Sequence, residues 1–193
     1  MSTATNVSTG KPKINGGIYV APVGTSLPTD ATTALNAAFA NLGYASVDGI
    51  TNTYNADNTD IYAWGNVLVD SAEGTKTDIF KITLIEALNV DVLKTYYGDD
   101  NVSGTLATGI TVKVNNKTIE PKSWVFDTIM RGGALKRIVV PYGVISSRGD
   151  IVYKDDVAIG YEITITAIPD AAGQPHYEYL KSATTPTPDP EET

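Results

Sequence analysis

The chain has 193 residues, a length that suits one domain with one hydrophobic core. It contains no cysteine, which excludes disulfides and thiolate metal sites. With 14 Lys and Arg against 22 Asp and Glu, the formal net charge is −8. That sign disfavours binding to nucleic acid or to anionic membranes through phosphate neutralisation. No stretch approaches the roughly 20 apolar residues that a membrane-spanning helix needs.

The first part of the chain combines a polar start with strand and helix signals. Residues 1–15 are rich in small polar side chains and lack the basic flank and apolar stretch of a secretory signal, so we expect a flexible N-terminal arm. Strands are predicted over Gly17–Pro22 and Gly43–Val47. Between them, Asp30 can cap a short helix over Ala31–Leu42, whose apolar side chains recur on one face.

The stretch Gly49–Thr77 mixes Asn, Thr and Asp with large apolar side chains. It is too long for an ordinary connection, and disordered segments rarely carry so many aromatic and aliphatic groups. We predict an extended hairpin that buries its apolar side chains against a neighbouring subunit, although a loop folded over its own core fits the pattern equally well. The candidate contact residues are Tyr54, Tyr62, Trp64, Leu68 and Val69.

The stretch Asp78–Glu86 alternates apolar and polar side chains and is rich in β-branched and aromatic residues. Phe80, Ile82 and Leu84 fall on one side of it, and polar side chains fall on the other. Such alternation is typical of a strand with one buried face. We therefore predict a strand here that contributes to the core.

A short helix is predicted directly after this strand. Asn89 can cap it, and Asp91 in the first turn and Lys94 in the last turn both match the helix dipole. Gly98 supplies the positive-φ residue that commonly ends a helix. The predicted apolar face consists of Leu88, Val92 and Tyr96.

Further strand patterns follow, separated by turn-forming residues. Asn115-Asn116, Arg131-Gly132-Gly133 and Lys154-Asp155-Asp156 are each predicted to be a hairpin connection, so consecutive strands should pair antiparallel. The fold class predicted is mainly β, a sandwich or partly closed barrel of antiparallel strands with a flanking helix. The later strands are expected over Gly109–Val114, Ser123–Ile129, Leu135–Tyr142, Ile151–Tyr153 and Val157–Ile168.

Several of these features together resemble the major tail tube proteins of long-tailed bacteriophages, particularly the flexible-tailed siphophage kind. The resemblance rests on Trp64-Gly65, on the strand and helix that end at Tyr96-Tyr97-Gly98, on the opening Gly16–Pro22 and on the late strand Ile159–Ile168. It covers residues 16–169, which we expect to form a tail tube β domain.

Residues 170–193 are expected to form a C-terminal extension of this domain. From about residue 184 the sequence has no large apolar side chain and is rich in proline. Such a composition cannot bury enough apolar surface to offset the entropy of ordering. We therefore predict disorder from about residue 184 onward.

The resemblance implies a structural virion protein, made and assembled in the cytoplasm of the host bacterium. Its subunits would form stacked hexameric rings around a conduit for DNA ejection. The implied partners are other copies of the chain, the tape measure protein, the tail terminator and distal tail proteins, with no membrane and no specific DNA binding. Edge strands of neighbouring subunits would join into a continuous wall. Candidates for its polar face, towards lumen or exterior, are Glu162, Thr164 and Thr166.

The residues give no sign of an active site, so we expect no enzyme, metal or cofactor. His176, the chain's one histidine, is interpreted as a solvated surface side chain. Asp99 and Asn101 begin a pattern like a calcium loop, but Ile110 stands where such a loop has its bidentate Glu. Trp124 lies in an alternating strand and is predicted to be a core residue.

A second class of protein explains the same β pattern. A non-catalytic β-sandwich binding module, carbohydrate-binding or capsid-decorating, could use Tyr54, Tyr62 and Trp64 as an exposed ligand platform. The two hypotheses differ in assembly. A tube protein should self-associate into rings or tubes, whereas a binding module should remain a small oligomer and bind glycan or capsid.

Overall fold

The computed structural model describes residues 6–13 and 16–183, most of them in antiparallel strands. This described part contains one α-helix, α1 (Val90–Tyr97), which confirms the prediction of a mainly β fold with a flanking helix. The strands in chain order are β1 (Gly10–Pro12), β2 (Ile18–Pro22), β3 (Ala40–Asn41), β4 (Ala45–Ala63), β5 (Val67–Leu84), β6 (Val102–Thr105), β7 (Gly109–Val112), β8 (Lys122–Met130), β9 (Leu135–Arg148), β10 (Tyr161–Ala167) and β11 (Tyr177–Lys181).

Nine strands form one sheet, with the order β3-β2-β8-β9-β10-β5-β4. β1 pairs with β8 beyond the end of β2, and β11 pairs with β9 beyond the end of β10. The described sheet has two lateral edges and does not close into a barrel. β6 and β7 form a separate hairpin.

The main core lies on one face of the sheet, where α1 covers it. Ile82 pairs with Ile163 and Phe80 pairs with Ile165, and these four side chains are buried. Phe80, Ile82 and Leu84 therefore face the core as predicted, and Trp124 is also fully buried there. On β5 and β10 the alternation of apolar and polar residues predicts this burial, because each of these two strands has one face in the core and one partly exposed face.

The helix α1 begins and ends as its sequence indicates. The side chain of Asn89 accepts a hydrogen bond from the backbone N–H of Asp91 at 3.0 Å. At the other end Gly98 has a φ of 100°, and its N–H donates to the carbonyl of Lys94 at 2.8 Å. Leu88 was wrongly assigned to the apolar face: it precedes α1 and its side chain is 67% exposed.

The predicted helix over residues 31–42 is wrong, because that segment forms irregular turns and ends in β3. A helix would place Phe39 and Leu42 on one face. Instead Leu42 enters the main core, and Phe39 packs with Ala21, Val125 and Val139 in a second cluster on the other face of the sheet. Tertiary packing thus overrides the helical periodicity of this segment.

Asp30, the predicted helix cap, nevertheless accepts backbone hydrogen bonds from the residues that follow it. Its carboxylate accepts hydrogen bonds from the N–H groups of Thr32 at 2.5 Å and Thr33 at 2.6 Å. A hydrogen bond from the Thr33 hydroxyl, followed by these two N–H bonds, holds the pKa of Asp30 well below its usual range. The carbonyls of Asp30 and Thr33 accept from Nη1 of Arg137 at 3.1 and 2.7 Å, so a side chain on β9 fixes the turn.

Other connections differ from their predictions. The turn Arg131-Gly132-Gly133 does join paired strands, β8 and β9. Asn115-Asn116 does not, because β7 pairs with β6 while β8 pairs with β9. Around Asp155-Asp156 the pairing reduces to one isolated bridge between Lys154 and Val157. The strands β1, β3, β6 and β11 were not predicted. β1 lies within the expected flexible arm, 1–15, of which residues 1–5, 14 and 15 are outside the described residues.

Candidate assembly surfaces

The hairpin of β4 and β5 extends far beyond the sheet. The last pair between β5 and β10 joins Asp78 to Ala167, but pairing between β4 and β5 continues to Ala63 and Val67. We call residues 55–77 the projecting hairpin. At about 3.3 Å per residue it is about 30 Å long. The expectation of an extended hairpin within residues 49–77 therefore agrees with the backbone.

Large apolar side chains of this hairpin are exposed in the isolated subunit. Trp64, in the turn at its tip, is fully exposed (104%). Tyr62 and Leu68 face each other across the two strands and are about half exposed. A two-stranded ribbon has no core of its own and is marginally stable in water at best. The exposed apolar side chains of the hairpin are Ile61, Tyr62, Trp64, Val67, Leu68 and Val69, and Tyr54 is exposed just before its base.

The projecting hairpin is also acidic. It carries Asp57, Asp60, Asp70 and Glu73 against the single cation Lys76, which gives a net charge of −3 from four carboxylates and one ammonium group. Glu73 and Lys76 pair at 2.6 Å, and this contact raises the pKa of Lys76. Asp60 and Asp70 lie closer to the tip than this pair, on either side of the apolar turn.

The base of the hairpin is held by a buried carboxylate. Asp78 accepts a hydrogen bond from Nδ2 of Asn52 on β4 at 2.6 Å and another from Nδ1 of His176. The His176 ring also packs edge-on against Phe80, with centroids 5.3 Å apart. His176 is therefore not the solvated surface side chain that was predicted: its side chain is 20% exposed, because the segment leading into β11 lies against β5.

The segment before β11 is fixed by a second carboxylate. Asp170 accepts from the hydroxyl of Tyr177 at 2.7 Å, which lowers the pKa of Asp170 and raises that of Tyr177. The Asp170 carboxylate also receives the N–H groups of Ala172 and Gln174. Residues 170–181 are therefore part of the folded sheet region, whereas the disorder predicted from about residue 184 concerns residues outside those described.

The candidate wall residues occupy the face of the sheet opposite α1. On β10, Glu162, Thr164 and Thr166 are partly exposed and alternate with the buried side chains of Tyr161, Ile163 and Ile165. Their cross-strand partners continue the same face onto β5 and β4. We call the resulting set the polar strip; its members are Thr51, Thr53, Ile79, Lys81, Thr83, Glu162, Thr164 and Thr166.

The polar strip is nearly neutral. Its charged members are Lys81 and Glu162, whose Nζ and Oε2 atoms lie 3.0 Å apart in an ion pair. The other members are threonines and one isoleucine. The negative charge of the chain therefore lies elsewhere, in part on the projecting hairpin.

Acidic side chains in residues 6–13 and 16–183 do not gather into a metal centre. No group of three or more His, Cys, Asp or Glu residues in this part could hold a metal ion. At the calcium-like loop, both carboxylate oxygens of Asp99 accept from Nζ of Lys122, at 2.6 and 2.8 Å. No described helix is long and apolar enough to cross a membrane.

The five candidate contact residues are all among the exposed apolar side chains; Ile61 and Val67, large residues of the same stretch, are also exposed but were not included in that set. The sequence alone could not show which residues pair across the sheet.

No curated protein matches the chain. A protein-family model described as phage tail tube protein matches residues 12–191, nearly the whole sequence. With its antiparallel sheet, flanking helix and long projecting hairpin, the chain belongs to the phage tail tube protein family, a family of structural phage tail proteins.

Proposed function

We propose that this chain is the major tail tube subunit of a siphophage-type tail, and that it assembles into stacked hexameric rings that form the conduit for DNA ejection. One observation carries the proposal: a long two-stranded hairpin exposes a fully accessible tryptophan and a set of half-exposed aliphatic side chains. Exposed apolar side chains concentrated in this way mark a protein interface. A neighbouring subunit that covers them resolves the marginal stability of the ribbon.

The two different edges of the sheet support the proposed ring. β4 forms one edge, and β1, β2 and the short β3 form the other. A contact between unlike edges is heterologous, and it generates a ring when its rotation closes. Pairing of edges around the ring would also satisfy backbone groups that are open in the isolated subunit.

In this arrangement the polar strip lines the lumen. The helix α1 and the main core lie on the opposite face of the sheet, so the strip is the face left for a solvent-filled channel. Its threonines and its Lys81–Glu162 pair offer DNA neither a cationic track nor a strong negative field. The net charge of the whole chain, −8, is consistent with a protein that does not retain DNA.

The proposal extends to partners and location. The subunit would contact the tape measure, the tail terminator and distal tail proteins, and would be assembled in the cytoplasm of the host bacterium into the virion tail.

The rival binding-module function receives less support from the geometry. Tyr54 and Tyr62 lie about 25 Å apart along β4, so they do not form one platform with Trp64.

The test is direct observation of assembly. Purified protein, concentrated in steps, should form rings or tubes in negative-stain micrographs, and sedimentation should show large species at the same concentrations. A profile that remains monomeric at every accessible concentration, also with other tail proteins added, would contradict the proposal.

A further inference from the structure

One row of paired residues runs across β8, β9, β10, β5 and β4 and defines a common level on these five strands. Lys122 pairs with Gly143, Gly143 with Ala167, Ala167 with Asp78, and Asp78 with Tyr54. We call these five residues the cross-sheet row. From this row β8 continues towards Met130, and β4 continues into the projecting hairpin. Because all the strands are antiparallel neighbours, both extensions leave the row on the same side.

The two extensions belong to opposite lateral edges. β1 pairs with the far part of β8 on the side away from β9, with Lys11 opposite Ile129. The projecting hairpin continues β4 and β5 at the other edge. Lys11 and the hairpin carboxylates of Asp60 and Asp70 all lie about 20–25 Å from the cross-sheet row, on the same side of it.

The edge at β1 is basic. Lys11 and Arg131 are exposed, and neither side chain has a carboxylate within salt-bridge distance among the described residues. The charge of Lys13 is partly compensated, because its Nζ lies 3.8 Å from a carboxylate oxygen of Asp127, which Arg137 also binds. We call Lys11, Lys13 and Arg131 the basic edge.

An apolar group accompanies these cations. Val7 is largely exposed. It is kept near the β8–β9 turn because the N–H of Arg131 donates to the neighbouring Ser8 hydroxyl at 2.8 Å. The basic edge thus offers cations and an aliphatic side chain, and the projecting hairpin offers carboxylates and aliphatic and aromatic side chains.

From this complementarity we infer that the basic edge of one subunit is the docking surface for the projecting hairpin of the adjacent subunit in the same ring. The inference rests on the proposed ring assembly. Rotation about a ring axis keeps every subunit the same way up, so the β4 edge of one copy lies beside the β1 edge of the next. Complementary charges at the same level then set the register of the contact and speed association.

Charge reversal tests the inference. One variant combines Asp60→Lys with Asp70→Lys, a second combines Lys11→Glu with Arg131→Glu, and a third carries all four changes. Each two-fold variant should raise the concentration needed for tube growth about tenfold, because attraction becomes repulsion in every contact around the ring. The four-fold variant should return to within about threefold of the unmodified protein.

Matched controls use charges at other places on the surface. Lys117→Glu with Asp155→Lys changes the same kinds of side chain away from both surfaces and should leave tube growth unchanged. Melting temperatures of all variants as dilute monomers show whether each one folds. Higher salt should weaken assembly of the unmodified protein, because exposed charge pairs are screened.

The outcomes separate the two proposals. If the unmodified protein forms no rings or tubes, the proposed function fails. If it assembles and the folded reversal variants assemble equally well, or the four-fold variant is not rescued, the docking surface is wrong and the function stands.

The chain's own acidic segment, residues 184–193, is the other occupant of the basic edge to test. If its removal abolishes the effect of reversing the basic edge, that segment covers the edge and the inference is overturned.

Discussion

Arg137 on β9 and Asp127 on β8 form a buried, bidentate ion pair. Nε of Arg137 donates to Oδ1 of Asp127 at 2.6 Å, and Nη2 donates to Oδ2 at 2.8 Å. Both side chains are almost fully buried. The remaining donor group of Arg137 holds the turn at Asp30 and Thr33. One guanidinium group therefore joins two strands and an irregular segment.

Replacing Arg137 should destabilise the fold strongly. Arg137→Met leaves the Asp127 carboxylate buried without its main partner, and such a change typically costs about 3–5 kcal/mol of unfolding free energy. Urea denaturation of the dilute monomer measures the loss. The double variant Arg137→Met with Asp127→Leu should lose less than the single variant, because no buried charge remains. A loss below about 1 kcal/mol for the single variant would show that water reaches the pair.

Trp64→Ala should impair assembly much more than folding. At about 25 cal/mol per Å² of apolar area, a tryptophan that buries about 200 Å² contributes several kcal/mol before ordering costs. The paired measurement is the melting temperature of the dilute monomer and the tube yield at matched concentration. Trp124→Ala is the matched control and should destabilise the monomer by about 3–5 kcal/mol. Normal assembly of a folded Trp64→Ala variant would refute an inter-subunit role.

Gly143 lies where the sheet leaves no room for a side chain. A Cβ atom built there would lie 2.6 Å from Cδ1 of Trp124 and 2.8 Å from Cγ2 of Ile165. Gly143→Ala should therefore cost about 1–3 kcal/mol through overpacking of the core. Gly10→Ala is the control, since nothing lies within 4 Å of its Cβ position, and its melting temperature should not fall. Equal stability of the two variants would contradict this account.

Removal of residues 184–193 should leave the melting temperature within about 1 °C of the full chain. The segment has no large apolar side chain to bury, and its prolines lack backbone donors. The measurement is differential scanning calorimetry of both chains, together with tube yield. A clearly lower melting temperature, or a loss of tubes, would show that the segment binds to the folded domain.

Sequence reasoning predicted those parts of the fold in which local pattern and packing agree. The strand around Phe80 and the capped helix after Asn89 were predictable because alternation and capping act over a few residues. The structure of the segment containing Phe39 was not predictable. Its apolar residues recur with a helical period, but they pack into two clusters on opposite faces of the sheet.

Long-range partners account for the other differences between expectation and structure. His176 meets Asp78 only because β11 extends the sheet beside β9, and the Tyr-Glu-Tyr-Leu-Lys alternation of β11 was the one local signal of that strand. Lys11 and Arg131 form one edge only through the pairing of β1 with β8. The hairpin shape was predictable from its mixed pattern, whereas the burial of its apolar side chains between subunits stays a prediction.

The contrast between the two tryptophans gives the chain an intrinsic optical reporter. Trp124 is buried in the core and Trp64 is exposed to water, so the fluorescence of the free subunit combines a short-wavelength and a long-wavelength emitter. An aqueous quencher such as iodide reaches one of them and not the other. Any event that covers the hairpin tip therefore shifts the emission to the blue and removes the quenchable fraction, without an added dye. Time-resolved emission can follow polymerisation from its first seconds in unmodified protein.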